Sequence, residues 1–171
     1  MRALLQRVRS ARVEIGPAVG VEMRPEGGAA RGVEIVGAID QGLLVFLAVY
    51  PNDGEPQVRW LIDKLLGLRV FADGDGKMNL SVQDVLGGVL LVSQFTLAGD
   101  ARRGRRPGFS AAAAPVHAER LYDQFLTELR RLHPKTAAGR FGADMQVHLV
   151  NDGPVTLLID TPEQWETGPH R

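Results

Sequence analysis

Short apolar runs that follow one another with little between them limit what this chain can fold into. Leu4 to Val8, Val13 to Ile15, Val33 to Ile39, Leu43 to Tyr50, Val70 to Ala72, Val89 to Phe95, Met145 to Val150 and Val155 to Ile159 each read as a strand. Two stretches alone carry a helical stripe. From about Glu55 to Leu68 the apolar positions are Val58, Leu61, Ile62, Leu65 and Leu66; from Pro115 to Leu132 they are Ala118, Leu121, Tyr122, Phe125, Leu126, Leu129 and Leu132. A Rossmann fold would alternate strand and helix regularly, so this order predicts another α/β architecture. We expect a three-layer β/β/α sandwich with largely antiparallel strands and two main amphipathic helices covering one sheet. A chain of 171 residues suits one domain. It should occupy residues 1–160, with a Gly/Ala/Pro-rich hairpin extension at 17–32 and a polar tail at 161–171.

Composition narrows the function. No apolar run approaches the roughly 18 residues of a membrane span, and the N-terminus turns charged at Arg7 and Arg9 without a signal-peptide core. The cytoplasm is the expected location. The absence of cysteine rules out disulfides, thiolate metal sites and a Cys nucleophile. With a formal net charge of zero, no global field marks a nucleic-acid binder. Charge is locally concentrated, however, at Arg102, Arg103, Arg105 and Arg106. That cluster is either a solvated loop or a phosphate-contacting patch, since Arg forks match phosphate oxygens.

Standard catalytic constellations are missing: no G-x-S-x-G elbow, no H-E-x-x-H and no Walker lysine motif. The histidines lack ligand spacing; His117 and His133 flank the second helix on its expected exposed side or end, and His148 sits mid-strand. Asp73-Gly74-Asp75-Gly76 reads as a turn, because Lys77 and Met78 stand where a calcium loop wants an oxygen ligand and a Gly. No metal or cofactor is expected. Ser93 and Thr96 have no evident base that would make either a nucleophile.

Two polar corners set on apolar runs remain, Ser93-Gln94-Phe95-Thr96 and Asn151-Asp152-Gly153-Pro154-Val155-Thr156. The second reads as a hairpin turn between its flanking runs. It also reads as a recognition device. A Gly-Pro peptide takes the cis form at a cost of only about 0.5–1 kcal/mol, and a corner built this way fixes two carbonyls with no side chain on the Gly to cover them.

Both corners, with Gly104-Arg105-Arg106-Pro107 and Phe141-Gly142-Ala143-Asp144-Met145, resemble the D-aminoacyl-tRNA deacylases of the bacterial and eukaryotic type. The opening Met1-Arg2-Ala3-Leu4-Leu5-Gln6-Arg7-Val8 and the run Gly76-Lys77-Met78-Asn79-Leu80-Ser81 are similar to that family too. The resemblance spans nearly all of residues 1–160 and implies a homodimer that hydrolyses the ester between a D-amino acid and the tRNA 3′ end, without cofactor. It implies a cis Gly153-Pro154 peptide that enters the partner's active site as a chiral gate. Ser93 and the Phe95 backbone would line the pocket, with Gln94 and Thr96 part of the same signature. The Phe141 backbone would help hold the substrate amino group, Arg7 would brace the Gly-Pro corner, and Met145 would lie beside the terminal adenosine.

Elementary energetics are consistent with a backbone gate. D and L esters carry the same groups, and a pocket contact worth one methylene discriminates by only about 1–3 kcal/mol. Sparing L-aminoacyl-tRNA needs a ratio on the order of 10⁴, about 5.5 kcal/mol. A rigid clash reaches that, whereas a soft side-chain pocket yields. Glycine has no side chain to be excluded, so glycyl-tRNA is an expected side substrate. For the hydrolysis itself, backbone N–H groups near Phe95 are the expected oxyanion donors. Two other readings stay open: a related deacylase that clears mischarged L-alanyl-tRNA, and a non-catalytic RNA-binding module using the Arg cluster.

Overall fold

The structure, a computed structural model, describes residues 1–16, 32–102 and 104–162. The expected extension at 17–32 (Gly32 apart), Arg103 and most of the 161–171 tail lie outside the described residues. The elements in chain order are β1 (Arg2–Ile15), β2 (Glu34–Ile39), β3 (Gly42–Ala48), α1 (Glu55–Gly67), β4 (Phe71–Ala72), β5 (Met78–Leu80), β6 (Gly88–Ser93), α2 (Pro115–Leu132), β7 (Thr136–Ala138) and β8 (Gln146–Asp160), with a 3₁₀ turn at Phe95–Ala98 between β6 and α2.

β1 is the spine of a six-stranded sheet. The two short runs expected at Leu4 to Val8 and Val13 to Ile15 are one strand, because Ala11 and Val13 keep the inward alternation going past Arg9 and Ser10. On one edge β1 pairs antiparallel with β3 through residues 2–8 and with β2 through residues 11–15. β2 and β3 thus form one interrupted partner, bent at Asp40-Gln41. β8 lies antiparallel along the opposite edge. Beyond β3 the sheet continues with parallel pairs, β3–β6 and β6–β7, each connection carrying one helix, as parallel crossovers require. The spacing of apolar runs gave no sign of these parallel ladders, since β7 is only three residues long.

The sheet curls until its ends meet. A Cβ built on Gly37 of β2 would stand 2.5 Å from the carbonyl oxygen of Ala138 in β7, so the absence of a side chain lets these strands approach. The two β layers expected from the sequence are opposite walls of this nearly closed sheet. Its inside is filled by Val8, Val13, Leu44, Leu90 and Val92. Its outer face carries Leu5, Leu43, Val45, Leu47, Val89 and Leu91, which pack against Val58, Leu61, Ile62 and Leu65 of α1 and Leu121, Phe125 and Leu129 of α2. β3 and β6 are buried on both faces, which explains their unbroken apolar runs.

Three local expectations are corrected. Met145 to Val150 and Val155 to Ile159 do not fold back on each other as a hairpin; from Gln146 on, both runs belong to β8 and pair with the same strand. The register passes from Gln6↔Thr156 to Val8↔Asn151, so residues 152–155 bulge out opposite Arg7 alone. The run Val89 to Phe95 leaves the sheet after Ser93, because Gln94 breaks the extended backbone (φ −144, ψ 77). His133 is buried rather than exposed; its Nε2 lies 2.9 Å from the carbonyl oxygen of Gly87, which makes that nitrogen the donor. The Asp73 loop is a turn, as expected. Its carboxylate accepts from the N–H groups of Asp75 and Lys77, both at 2.9 Å, and from Asn79 Nδ2 at 2.6 Å.

Candidate active site

A cleft of ≈ 590 Å³ opens where β6 ends, the loop before α2 crosses and the chain returns through residues 141–147. Ser93, Gln94, Phe95, Phe141 and Met145 line it together. Folding thus brings together motifs separated by some 50 positions. The shape follows from β6: Ser93 is its last residue, set beside Leu47 of β3, and the Gln94 N–H donates to the Leu47 carbonyl at 2.8 Å. The chain then tightens into the 3₁₀ turn. As its first residues, Phe95 and Thr96 leave their N–H groups without a backbone acceptor among the described residues.

Aromatic pairs build the walls. Phe95, 56% exposed, meets Phe109 edge-on, centroids 5.2 Å apart at 66°. Phe141 leans on Tyr122 at 5.8 Å and 50°. Tyr122 is anchored by its hydroxyl, which donates to the Leu91 carbonyl at 3.1 Å, and burial pushes its pKa up to about 12, so it remains a neutral donor. Met145 reaches the cleft because residue 139 is glycine: a Cβ there would lie 2.7 Å from Met145 Sδ. Thr96 is exposed and does not line the cleft; its hydroxyl accepts from Gln94 Nε2. Phe109, Ala112, Ala113 and Tyr122 are lining residues that sequence reasoning did not assign to the site. Tyr122 was legible only as part of a core stripe, and the alanines carry no periodic or chemical signal.

The second corner stands apart from this cleft in the same chain. Gly153 and Pro154 are exposed, the peptide between them is cis, and neither lines the cleft. The bulge is held from beneath. Arg7 donates through Nε to the Asp152 carbonyl at 2.9 Å and through Nη1 to the Val70 carbonyl, and its Nε lies 3.3 Å from the Asp152 carboxylate. Arg9 adds a contact to that carboxylate at 3.1 Å. Asn151 Nδ2 donates to the carbonyls of Arg7 at 2.8 Å and Val155 at 3.2 Å, closing the bulge at its base. Gly153 has φ +149, a conformation in which an L side chain is strained.

The arginine loop is closed by reciprocal backbone bonds between Asp100 and Gly108, both at 2.8 Å, and leads directly into Phe109. Arg102 is occupied: its Nη2 and Nε bond the Asp100 carboxylate at 2.7 and 2.9 Å, and this holds the carboxyl far below its usual range. Arg105 and Arg106 are exposed, with no ion-pair partner among the described residues. No cluster of three or more metal-binding side chains occurs among those residues, and no described helix is long and apolar enough to cross a membrane.

Comparison with known proteins bears on this arrangement. Residues 4–160 match the family model described as D-Tyr-tRNA(Tyr) deacylase. The D-aminoacyl-tRNA deacylase of Pseudomonas syringae pv. tomato is 55% identical over 161 residues, covering 94% of this chain and 100% of that protein. The enzyme of the same name from Pseudomonas putida is 55% identical over 159 residues, covering 93% of this chain and 99% of its own. Among solved structures, one named c-Myc DNA Unwinding Element Binding Protein superposes with a TM-score of 0.81 at 36% identity, over 95% of this chain and 99% of that one. A probable eukaryotic D-amino acid tRNA deacylase, 18% identical, shares the fold with a TM-score of 0.73 over 94% of this chain and 98% of its own. Motif order, the cleft that gathers those motifs and these full-length likenesses agree: the chain belongs to the D-aminoacyl-tRNA deacylase family and is a hydrolase of D-aminoacyl-tRNA.

Proposed function

We propose that the enzyme enforces chirality with backbone rather than side chains, as a homodimer in which Gly153 and Pro154 of each subunit enter the partner's cleft. The observation that carries this reading is the placement of the corner. It is exposed, braced by Arg7 and Asn151, and set outside the cleft of its own chain. It also lies on β8, whose only strand partner among the described residues is β1 and which exposes Leu149, Val150, Leu157 and Leu158. An apolar edge strand of this length is a template for another copy.

In this reading the aminoacyl-tRNA 3′ end enters the cleft between Phe95 and Phe141, with the terminal adenosine beside Met145. The Gly153–Pro154 carbonyls approach the substrate α-carbon from the other subunit and leave room for hydrogen but not for an L side chain. Glycyl-tRNA passes the same gate. The unpaired N–H of Phe95 supplies a donor for the developing oxyanion, a contribution worth about 2.7–4 kcal/mol per donor in acyl transfer, so neither a triad nor a cofactor is required. Arg105 and Arg106 meet tRNA phosphates, while Arg102 is committed to Asp100. The enzyme works in the cytoplasm, where aminoacyl-tRNA is used. The DNA-related name of the 36% identical structure is not carried over, since a formal net charge of zero offers no duplex-binding field.

The test is deacylation of D-tyrosyl-, L-tyrosyl- and L-alanyl-tRNA in parallel, with the subunit mass measured by sedimentation. Release of the D-amino acid alone, from a dimer, is expected. Release from L-alanyl-tRNA would instead make it a deacylase for mischarged alanine. No release would leave an RNA-binding module, and an active monomer would remove the gate in trans.

A further inference from the structure

We infer that Phe109 is a stacking platform for the base of the nucleotide that precedes the terminal adenosine of the tRNA, an inference that rests on the deacylase reading of the cleft. Phe109 lines the cleft and pairs edge-on with Phe95, yet the two residues remain 36% and 56% exposed. Phe141, by contrast, is half-buried against Tyr122. The open ring is nevertheless firmly placed. A Cβ on Gly99 would stand 2.9 Å from Cε1 of Phe109 and 3.3 Å from its Cδ1, so the ring lies directly on backbone left bare by glycine. The Asp100–Gly108 bonds close the loop immediately before Phe109, whose carbonyl accepts from the Ala112 N–H at 3.0 Å. A ring held in place before substrate arrives binds at a lower entropy cost.

Charge on the same loop identifies the occupant. Arg105 and Arg106 are exposed without an ion-pair partner among the described residues. Arg106 stands three positions before Phe109, so their Cα atoms are at most about 11 Å apart. Free guanidinium groups beside an open aromatic ring are the two halves of a single-strand nucleic-acid site, in which Arg takes phosphates and the ring takes a base. The tRNA 3′ end is such a strand, with unpaired nucleotides leading to the terminal adenosine. In the proposed binding mode that adenosine lies beside Met145, and the nucleotide before it leads out to the arginine loop. An amino-acid side chain brings no phosphate for these arginines, which argues against it as the occupant. Stacking tolerates any base, so the platform makes a full 3′ end a better ligand than a free aminoacyl nucleoside. Phe109 touches no reacting atom and is a positioning residue.

The experiment is a cycle of wild type and Phe109→Ala on D-tyrosyl-tRNA and on the same tRNA carrying an abasic sugar at the penultimate nucleotide. On the intact tRNA the substitution is expected to raise KM about tenfold, within the range that one base–aromatic stack supplies, with kcat within about twofold, the pattern of lost uniform binding. The abasic tRNA is expected to cost the wild type the same factor and the variant nothing further, so that the two proteins are equal on it. An unchanged KM on the intact tRNA, or an equal loss on both tRNAs, would overturn the assignment. The second of these would mark a ring that meets the terminal adenosine or the amino acid, or that only supports the loop. If Phe109→Ala does not fold, the wild type decides alone: an abasic tRNA that binds without a rise in KM overturns the stack. Failure of the wild type to cleave D-tyrosyl-tRNA would instead overturn the deacylase reading itself.

Discussion

Replacing Arg7 by Lys tests the bracing of the corner most sharply. The Arg7 side chain is 14% exposed and spans two separate segments, bonding the Asp152 carbonyl at 2.9 Å and the Val70 carbonyl through another nitrogen. A lysine ammonium is a compact point charge without the planar fork, and it serves one of these acceptors at a time. Each hydrogen bond to a charged group is worth about 1.5–3 kcal/mol. Losing one and leaving its carbonyl half-buried costs about 3 kcal/mol, which lowers Tm by roughly 6–12 °C in a chain of this size. A domain with the usual 5–15 kcal/mol of stability stays folded at 25 °C, so activity reports the corner rather than unfolding. A displaced corner is expected to lower kcat/KM for D-tyrosyl-tRNA about 100-fold. Calorimetry and single-turnover deacylation on the same preparation measure both. A Tm within 2 °C of wild type together with unchanged kcat/KM would refute the bracing role.

Gly37→Ala places a Cβ 2.5 Å from Ala138 oxygen and 3.1 Å from its backbone carbon and nitrogen, so β2 and β7 must part. The expected cost is about 1–3 kcal/mol, seen as a lower Tm with deacylation retained at 25 °C; an unchanged Tm would mean that the seam is not tight. Replacing Arg105 and Arg106 together by Ala is expected to weaken tRNA binding and to flatten the slope of log affinity against log salt by about one or more; an unaltered slope returns the loop to a solvated role. Thr96→Ala is expected to retain deacylation within a few-fold, since among the described residues the hydroxyl meets only Gln94; abolished turnover with binding intact would make Thr96 a covalent nucleophile.

The helices were legible because their stripes are uninterrupted: Val58 to Leu66 and Leu121 to Leu129 are the residues that pack inward. β3 was legible because burial on both faces leaves an apolar run that resembles nothing else. β8 was not, because Gly153-Pro154 has the composition of a turn, and only the long-range pairing with β1 tells a bulge from a reversal. Nor was the curl of the sheet, which depends on Gly37 meeting a three-residue strand too short to carry a pattern. Of the candidate site, Ser93, Gln94 and Phe95 at the end of β6 and the residues around Phe141 do share one cleft, while Thr96 stays outside it. Gly153 and Pro154 lie outside that cleft, in the bulge of β8.

The most direct measurement is the rate of Gly153→Ala on D-tyrosyl-tRNA. A methyl group there would stand 2.7 Å from the backbone nitrogen of Val155 and 3.1 Å from Arg7 Nη2, at a φ of +149 that costs an L residue about 1–3 kcal/mol. The corner must therefore move, and a recognition device made of backbone cannot be moved without cost. A fall in kcat/KM of about 100-fold, with the protein still folded and dimeric, is the expected result. A Gly153→Ala enzyme that deacylates D-tyrosyl-tRNA at the wild-type rate, and still spares the L ester, would contradict the backbone gate.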